Sequence, residues 1–385
     1  MFVLAQDECP LFVRVQRDKS LRTSYAEERL HAGRNDAGRI PIFQSHIRSK
    51  GFFMKPGALY DLARFLPLMS WSGNASFLGV SAAVVTAGFS GVNWGLTILA
   101  VLVAIMLQYV AHPINDIADL YVDRLANIDG TGRRKVLISG LATRDELIRI
   151  SLVIVLLAAL IAAIISLFRP IALIFGAVGF IAVWAYNAAP ARLSYRPFPE
   201  IFIAFPANIA MVVGIAYVAS GVITTLSLIL GLVQAFMAAS MLISYFAMDV
   251  QSDFLGGKCS TVVRYQGIPW CTVYPVAGII TMVALLIPGY GPGFLLLPAI
   301  LMMGMTVLGA RIDTIWMTYL RTHGQDVQKY SLIEREGPGL SNQFPYLQEW
   351  QRASGSMRNI LVGQIYLTIV NGFALSFLLV AGIRS

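Results

Sequence analysis

Charge is scarce in this sequence. Only 13% of its 385 residues are Asp, Glu, Lys or Arg, while 57% are hydrophobic; a soluble domain carries about 25% charged and roughly 45–50% apolar residues. An ordinary water-soluble globule is therefore excluded. Cysteine is scarcer still. Cys9, Cys259 and Cys271 have no metal-ligand spacing, and an odd number of thiols cannot close a disulfide framework, so neither zinc nor redox chemistry is expected of them. The 33 Gly and 17 Pro are scattered singly among apolar runs without a three-residue period, which excludes collagen and low-complexity disorder. The opening residues, MFVLAQDECPLFVRVQRDKS, hold an apolar scrap too short for a secretory core and no small-residue cleavage pattern, so no cleaved signal is expected. A net charge of +8 would suit nucleic acid if the cations clustered on a soluble surface. Here they sit between hydrophobic stretches, and no nucleic-acid partner is expected.

What the sequence has in quantity is long apolar runs. After a polar, Arg-rich segment at 1–64, stretches of roughly 18 to 25 residues recur, the length that crosses about 30 Å of hydrocarbon at about 1.5 Å per residue. They fall at about 65–88, 92–112, 147–168, 171–188, 201–222, 224–247, 270–288, 293–310 and 359–382. The expected fold is all-α: a polytopic membrane protein with about nine transmembrane helices around a central cavity, in contact with the lipid bilayer. Two regions follow from this, a polar cytoplasmic segment at 1–64 and a transmembrane domain at 65–385, the latter with a long cytoplasmic loop at about 311–358.

The charges test this partition. With nine spans, the tail and the exits of the even-numbered spans share one side, and 27 of the 29 Lys and Arg fall there, leaving Arg169 and Arg384 opposite. The positive-inside rule makes the charged side cytoplasmic. All 21 carboxylates lie on it too. Since Asp and Glu are weak topology signals, their gathering on that side points to a site at the cytoplasmic mouth.

Two acidic motifs carry that site. The second span runs directly into Asn115-Asp116-Ile117-Ala118-Asp119-Leu120-Tyr121-Val122-Asp123; Asn115, Asp119 and Asp123 are spaced i, i+4, i+8 and share one helix face, with Asp116 three residues before Asp119. The sixth span ends in Asp249-Val250-Gln251-Ser252-Asp253, a second i, i+4 pair. A solvated helix end explains one such pair, but not two on the same side of the membrane. Unpaired, these carboxylates repel one another, so a bound divalent cation is the economical explanation. Carboxylates that leave a hard cation partly hydrated present it to substrate phosphate, and the expected ligand is a diphosphate. Each motif is followed by cations for phosphate oxygens: Arg133, Arg134 and Lys135 after the first, Lys258 after the second. His112 is either a base near that diphosphate or a hydrogen-bonded helix-end histidine, and no chemistry is assigned to it.

Taken together, NDxxDxxxD at 115–123, DxxxDxxxGK at 249–258 and nine spans resemble the UbiA superfamily of intramembrane prenyltransferases. Three further strings, GTGRRKVLISG at 130–140, YNAAPARLSYRPFPE at 186–200 and GKCSTVVRYQG at 257–267, look like its 1,4-dihydroxy-2-naphthoate polyprenyltransferase branch. The resemblance implies Mg²⁺ held by Asn115, Asp119, Asp123, Asp249 and Asp253 with Asp116 in support. Arg134, Lys135 and Lys258 would meet phosphate oxygens, and Tyr186 and Arg192 would border the diphosphate. The chain departs from several relatives at Pro190, where they carry Lys four residues after the tyrosine, and in the length of the 311–358 loop.

The implied reaction is ionisation of an allylic polyprenyl diphosphate and capture of the carbocation by an electron-rich aromatic acceptor, as in quinone biosynthesis. Two other enzymatic outcomes share the same motifs: cyclisation of the donor on itself by a membrane terpene cyclase, and prenyl transfer to another aromatic or to a lipid acceptor. A cation transporter also uses intramembrane carboxylates, but it places them near the bilayer midplane, whereas both motifs here lie at span ends.

Overall fold

In lipid each backbone N–H and C=O must be satisfied inside the segment that carries it, and for a single apolar run the helix is the solution. The computed structural model describes residues 71–128, 135–266, 268–286, 292–333 and 345–382. Among these residues every regular element is helical, and each of the nine predicted spans coincides with a helix. In chain order they are α1 (Trp71–Ala87), α2 (Trp94–Ala118), α3 (Leu120–Ile128), α4 (Arg144–Ser166), α5 (Ala172–Asn187), α6 (Pro199–Ser220), α7 (Thr225–Met248), α8 (Val250–Leu255), α9 (Thr261–Arg264), α10 (Trp270–Val283), α11 (Pro292–Ile333) and α12 (Pro345–Ala381). The segment 1–64 lies outside the described residues, as does Arg134.

Local chemistry sets several boundaries. Thr143 and Glu146 form a capping box at the start of α4, Thr224 and Ser227 form another at α7, and Asn93 caps α2 through the Leu96 N–H; each satisfies amide donors that a helix start leaves open. Among the described residues six helices are long and apolar enough to cross a membrane. Two further apolar helices, α5 with 16 residues and α10 with 14, are shorter. At about 1.5 Å per residue they fall short of the roughly 30 Å that a hydrocarbon core measures.

Successive spans pack side by side, α2 on α4, α5 on α6, α6 on α7, α7 on α10, α10 on α11 and α11 on α12, and α12 returns against α1, which also lies on α6. Of the six long spans α7 is the most buried, while α4 is the least and turns a row of Leu152, Leu156 and Leu160 outward. An exposed apolar row of this kind is what a lipid-facing helix requires.

Two expectations need correction. The stretch 311–358 is not a long irregular loop in its described residues: α11 continues to Ile333 and α12 begins at Pro345. The reason is amphipathic packing. Ile312, Trp316 and Tyr319 on α11 and Trp350, Met357 and Leu361 on α12 are buried at helical spacing, and the Tyr319 and Trp350 rings meet with centroids 4.7 Å apart. Arg311, Arg321, Glu349 and Arg352 lie on exposed faces of the same helices. Second, the run through 115–123 is not one straight helix. It bends at Asp119, with φ −102° and ψ 12°, although Asp119 N–H still reaches Asn115 O and Asp123 N–H still reaches Asp119 O, both at 2.8 Å. Asp249 repeats this geometry between α7 and α8, with φ −98° and ψ 9°. Both acidic motifs are thus bent helix ends built on an aspartate.

Candidate active site

The two bent ends meet. Helix α3 packs on α8, and Gly256, just past α8, permits the approach, because a Cβ there would lie 2.4 Å from Val122 Cγ2. Across this contact the Lys258 ammonium sits 2.8 Å from Asp119 Oδ2 and 3.4 Å from Asp253 Oδ1, joining the first motif to the second. A second lysine serves the first motif alone: Lys135 Nζ lies 2.8 Å from Asp116 Oδ1, 3.3 Å from Asp123 Oδ2 and 3.4 Å from Asn115 Oδ1. Asn115 completes the set by donating to Asp119 Oδ2 at 2.8 Å and to Asn187 Oδ1 at 3.1 Å.

Asp116, Asp119 and Asp253 are buried, and burial without pairing would neutralise them. Desolvation pushes the Asp253 carboxyl up to about 7 and the Asp123 carboxyl up to about 6. Burial works in the same direction on Asp119, but Lys258 beside it, helped by Lys135, holds its carboxyl below the usual range. Burial would lower the Lys258 ammonium, yet Asp119 and Asp253 carry it well above its ordinary value. The site is therefore a cluster of alternating charges at the ends of two helices, sealed enough that each charge depends on its neighbour.

Most of the residues the sequence singled out converge here: Asn115, Asp116, Asp119, Asp123, Lys135, Asp253 and Lys258. Asp249 is the half-buried bend residue of the second motif and acts electrostatically on Asp253. Tyr186, near the end of α5, packs against the adjoining core and lies within the electrostatic reach of Lys258, Asp119 and Asp253. Arg192 is at the rim. Its guanidinium donates to Ala118 O at 3.2 Å, at the end of α2, and lies 4.1 Å over the Tyr195 ring, a cation set against a helix C-terminus.

Three residues of the 186–200 string went unnoticed individually. Asn187 receives the Asn115 amide. The Tyr195 ring lies 5.5 Å from Lys258 Nζ, and its carbonyl accepts the Cys259 N–H at 3.3 Å. Glu200 is fully buried below them. Their only sequence signal was membership of that string, because each partner is more than 60 positions away.

The donor set is oxygen only. Among the described residues no three Asp, Glu, His or Cys side chains converge as a closed metal site would; the carboxylates are bridged in pairs by lysine instead. Asp119 Oδ1 is nevertheless buried without a hydrogen-bond partner, which is costly to retain. Carboxylates and an amide at helix ends, with buried acceptor capacity left over, fit a hard cation that takes its remaining ligands from water or substrate.

Fold and site define a polytopic helical membrane protein with a buried acid–lysine cluster between two spanning helices. Residues 76–333, two thirds of the chain, match the UbiA prenyltransferase family, and the chain belongs to that family. It is accordingly an integral membrane prenyltransferase, an enzyme that transfers alkyl groups other than methyl. No curated protein sequence matches it. Among solved structures, a UbiA homologue from Archaeoglobus fulgidus bound to GPP and Mg²⁺ is similar at 15% identity and TM-score 0.49, covering 82% of this chain and 99% of that one. The same homologue bound to DMAPP and Mg²⁺ gives the same values. A digeranylgeranylglyceryl phosphate synthase is similar at 16% identity and TM-score 0.48, over 82% and 98%.

Proposed function

We propose that the protein catalyses Mg²⁺-dependent transfer of a prenyl group from an allylic polyprenyl diphosphate to a hydrophobic aromatic acceptor in the membrane, at the cytoplasmic side. One observation carries this reading: Lys258 lies between Asp119 of one acidic helix end and Asp253 of the other, at 2.8 and 3.4 Å. Two motifs 130 residues apart thus make one site, with the mixed charge that a diphosphate and a hard cation both need.

Asn115, Asp119, Asp123, Asp249 and Asp253 would hold Mg²⁺, with Asp116 supporting. When bound, the metal would supply positive charge to the diphosphate oxygens. Lys258 and Lys135 add fixed ammonium groups, and Arg134, the residue before Lys135 in the sequence, would add a third cation. As the C–O bond of the donor breaks, negative charge grows on the leaving diphosphate, and preorganised cations stabilise that charge more than they stabilise the ground state. The chain need not supply a strong nucleophile. The electron-rich acceptor carbon captures the allylic cation, and Tyr186 and Arg192 border the headgroup. Helices that exclude water protect the cation from hydrolysis, while the isoprenoid tail remains in apolar surroundings.

The acceptor we favour is 1,4-dihydroxy-2-naphthoate, which places the enzyme in quinone biosynthesis. The strings at 130–140, 186–200 and 257–267 support it by their resemblance to that branch. The test is product identification by mass spectrometry after supplying geranyl or geranylgeranyl diphosphate and Mg²⁺ with naphthoate, hydroxybenzoate and glycerol phosphate acceptors in parallel. A prenylated, decarboxylated naphthoate is expected. Product with another acceptor alone would replace the acceptor assignment, and hydrocarbon released without any acceptor would replace transfer with cyclisation.

A further inference from the structure

Glu200 is a fully buried carboxylate that the acid–lysine cluster leaves unused. It stands in the first turn of α6, and hydroxyl groups satisfy it: Thr261 Oγ1 lies 2.8 Å from both of its oxygens, and the Tyr274 hydroxyl donates to Oε1 at 2.7 Å. The Thr261 oxygen is used twice, since it also accepts the Phe198 N–H at 3.0 Å. Phe198 needs that anchor. Its φ of 59° and ψ of 41° are left-handed values that a bulky residue adopts only when its surroundings impose them, and its ring stacks on Tyr265 with centroids 5.3 Å apart.

The consequence reaches the site through two short segments. Phe198 is three residues from Tyr195, and Thr261 is three residues from Lys258. The segments are tied again by the Cys259 N–H on Tyr195 O, and their far ends bring the Tyr195 ring to 5.5 Å from the Lys258 ammonium. Resting on the diphosphate reading above, we propose that Glu200 is a positioning residue: through Thr261 it locks the 195–198 and 258–261 segments together and so fixes Lys258 between Asp119 and Asp253. Without the carboxylate the Thr261 hydroxyl loses its acceptor, the Phe198 turn loses its anchor, and Lys258 is left with its ion pairs and the backbone hydrogen bonds of Lys258 N–H to Asp253 O and Cys259 N–H to Tyr195 O.

The test uses the full-length protein in detergent with geranyl diphosphate and Mg²⁺ as the probe, measuring the dissociation constant by calorimetry and folding by thermal melt. Glu200→Gln and Thr261→Val are expected to weaken binding about 10-fold to 100-fold, the range seen when a group that orients a ligand is removed. Thr261→Ser, which keeps the hydroxyl, should bind as the parent does. In a Lys258→Met background Glu200→Gln should produce no further loss, because its effect passes through Lys258. Parental affinity in folded Glu200→Gln and Thr261→Val, or an equal loss with and without Lys258, overturns the proposal. If Glu200→Gln does not fold, the contrast between Thr261→Val and Thr261→Ser decides: equal affinities overturn it. A parent protein that does not bind geranyl diphosphate overturns the diphosphate reading itself, and this proposal with it.

Discussion

Lys258 shows how much depends on one side chain. Its ammonium is the charge partner of two buried aspartates, and removing one member of a buried pair leaves the others uncompensated, a loss of about 3–5 kcal/mol in comparable cases. Lys258→Met is expected to lower the thermal midpoint of the purified protein by about 3 kcal/mol equivalent. Combining it with Asp119→Asn should cost less than the sum of the two single changes, which a double-mutant cycle of melting curves checks. At this scale the sequence disclosed the residue types and their i, i+4 spacing, and therefore the acidic motifs and the lysine after each. It could not disclose that Asn187 would serve Asn115, or that Glu200 would take hydroxyls from α9 and α10, because these contacts depend on how helices distant in sequence are set beside one another.

Among helices, close approach is decided by glycine. A Cβ on Gly309 of α11 would lie 2.2 Å from the Cys271 carbonyl oxygen of α10, and that oxygen belongs to backbone and cannot swing aside. Gly309→Ala should therefore force α11 and α10 apart at a cost of about 1–3 kcal/mol. Gly355 of α12 has nothing within 4 Å of the same atom, and Gly355→Ala should stabilise by up to about 1 kcal/mol through helix propensity. Opposite shifts of the two melting temperatures would establish the difference. The pairing of α11 and α12 also explains the misread stretch at 311–358. Buried Ile312, Trp316 and Tyr319 keep a helical period, but the residue that covers them from the other helix, Trp350, stands 31 positions beyond Tyr319 in the sequence. Asp313 adds to the contact of α11 with α10 by accepting the Cys271 N–H at 3.0 Å and the Thr272 hydroxyl at 2.6 Å, a carboxylate from α11 set at the N-terminus of α10.

Which side of the membrane the site faces is a property of the whole molecule. Tyr121, beyond the acidic end of α2, and Phe89, before its other end, are both exposed. If the site faces the cytoplasm, Tyr121→Cys in a background lacking native cysteines should react with a membrane-impermeant maleimide only from that side, and Phe89→Cys only from the opposite side. Reversed labelling would place the site on the outer face. The paired change Asp249→Ala with Asp253→Ala should leave the protein inserted and monodisperse while abolishing prenyl transfer, measured by product formation in vesicles; retained turnover would end the metal assignment.

The amino-acid sequence alone determined that the chain is a helical membrane protein, and its spacing singled out aspartates and lysines that lie together at the two bent helix ends. Span length, charge asymmetry and helical spacing are properties of contiguous residues. Only the tertiary structure decided that the two acidic ends bend on Asp119 and Asp249 and meet through Lys258, and that residues 311–333 continue the eighth span as helix. Those outcomes depend on packing between segments about 30 to 140 residues apart, where a missing Cβ or a shared hydroxyl sets the distance.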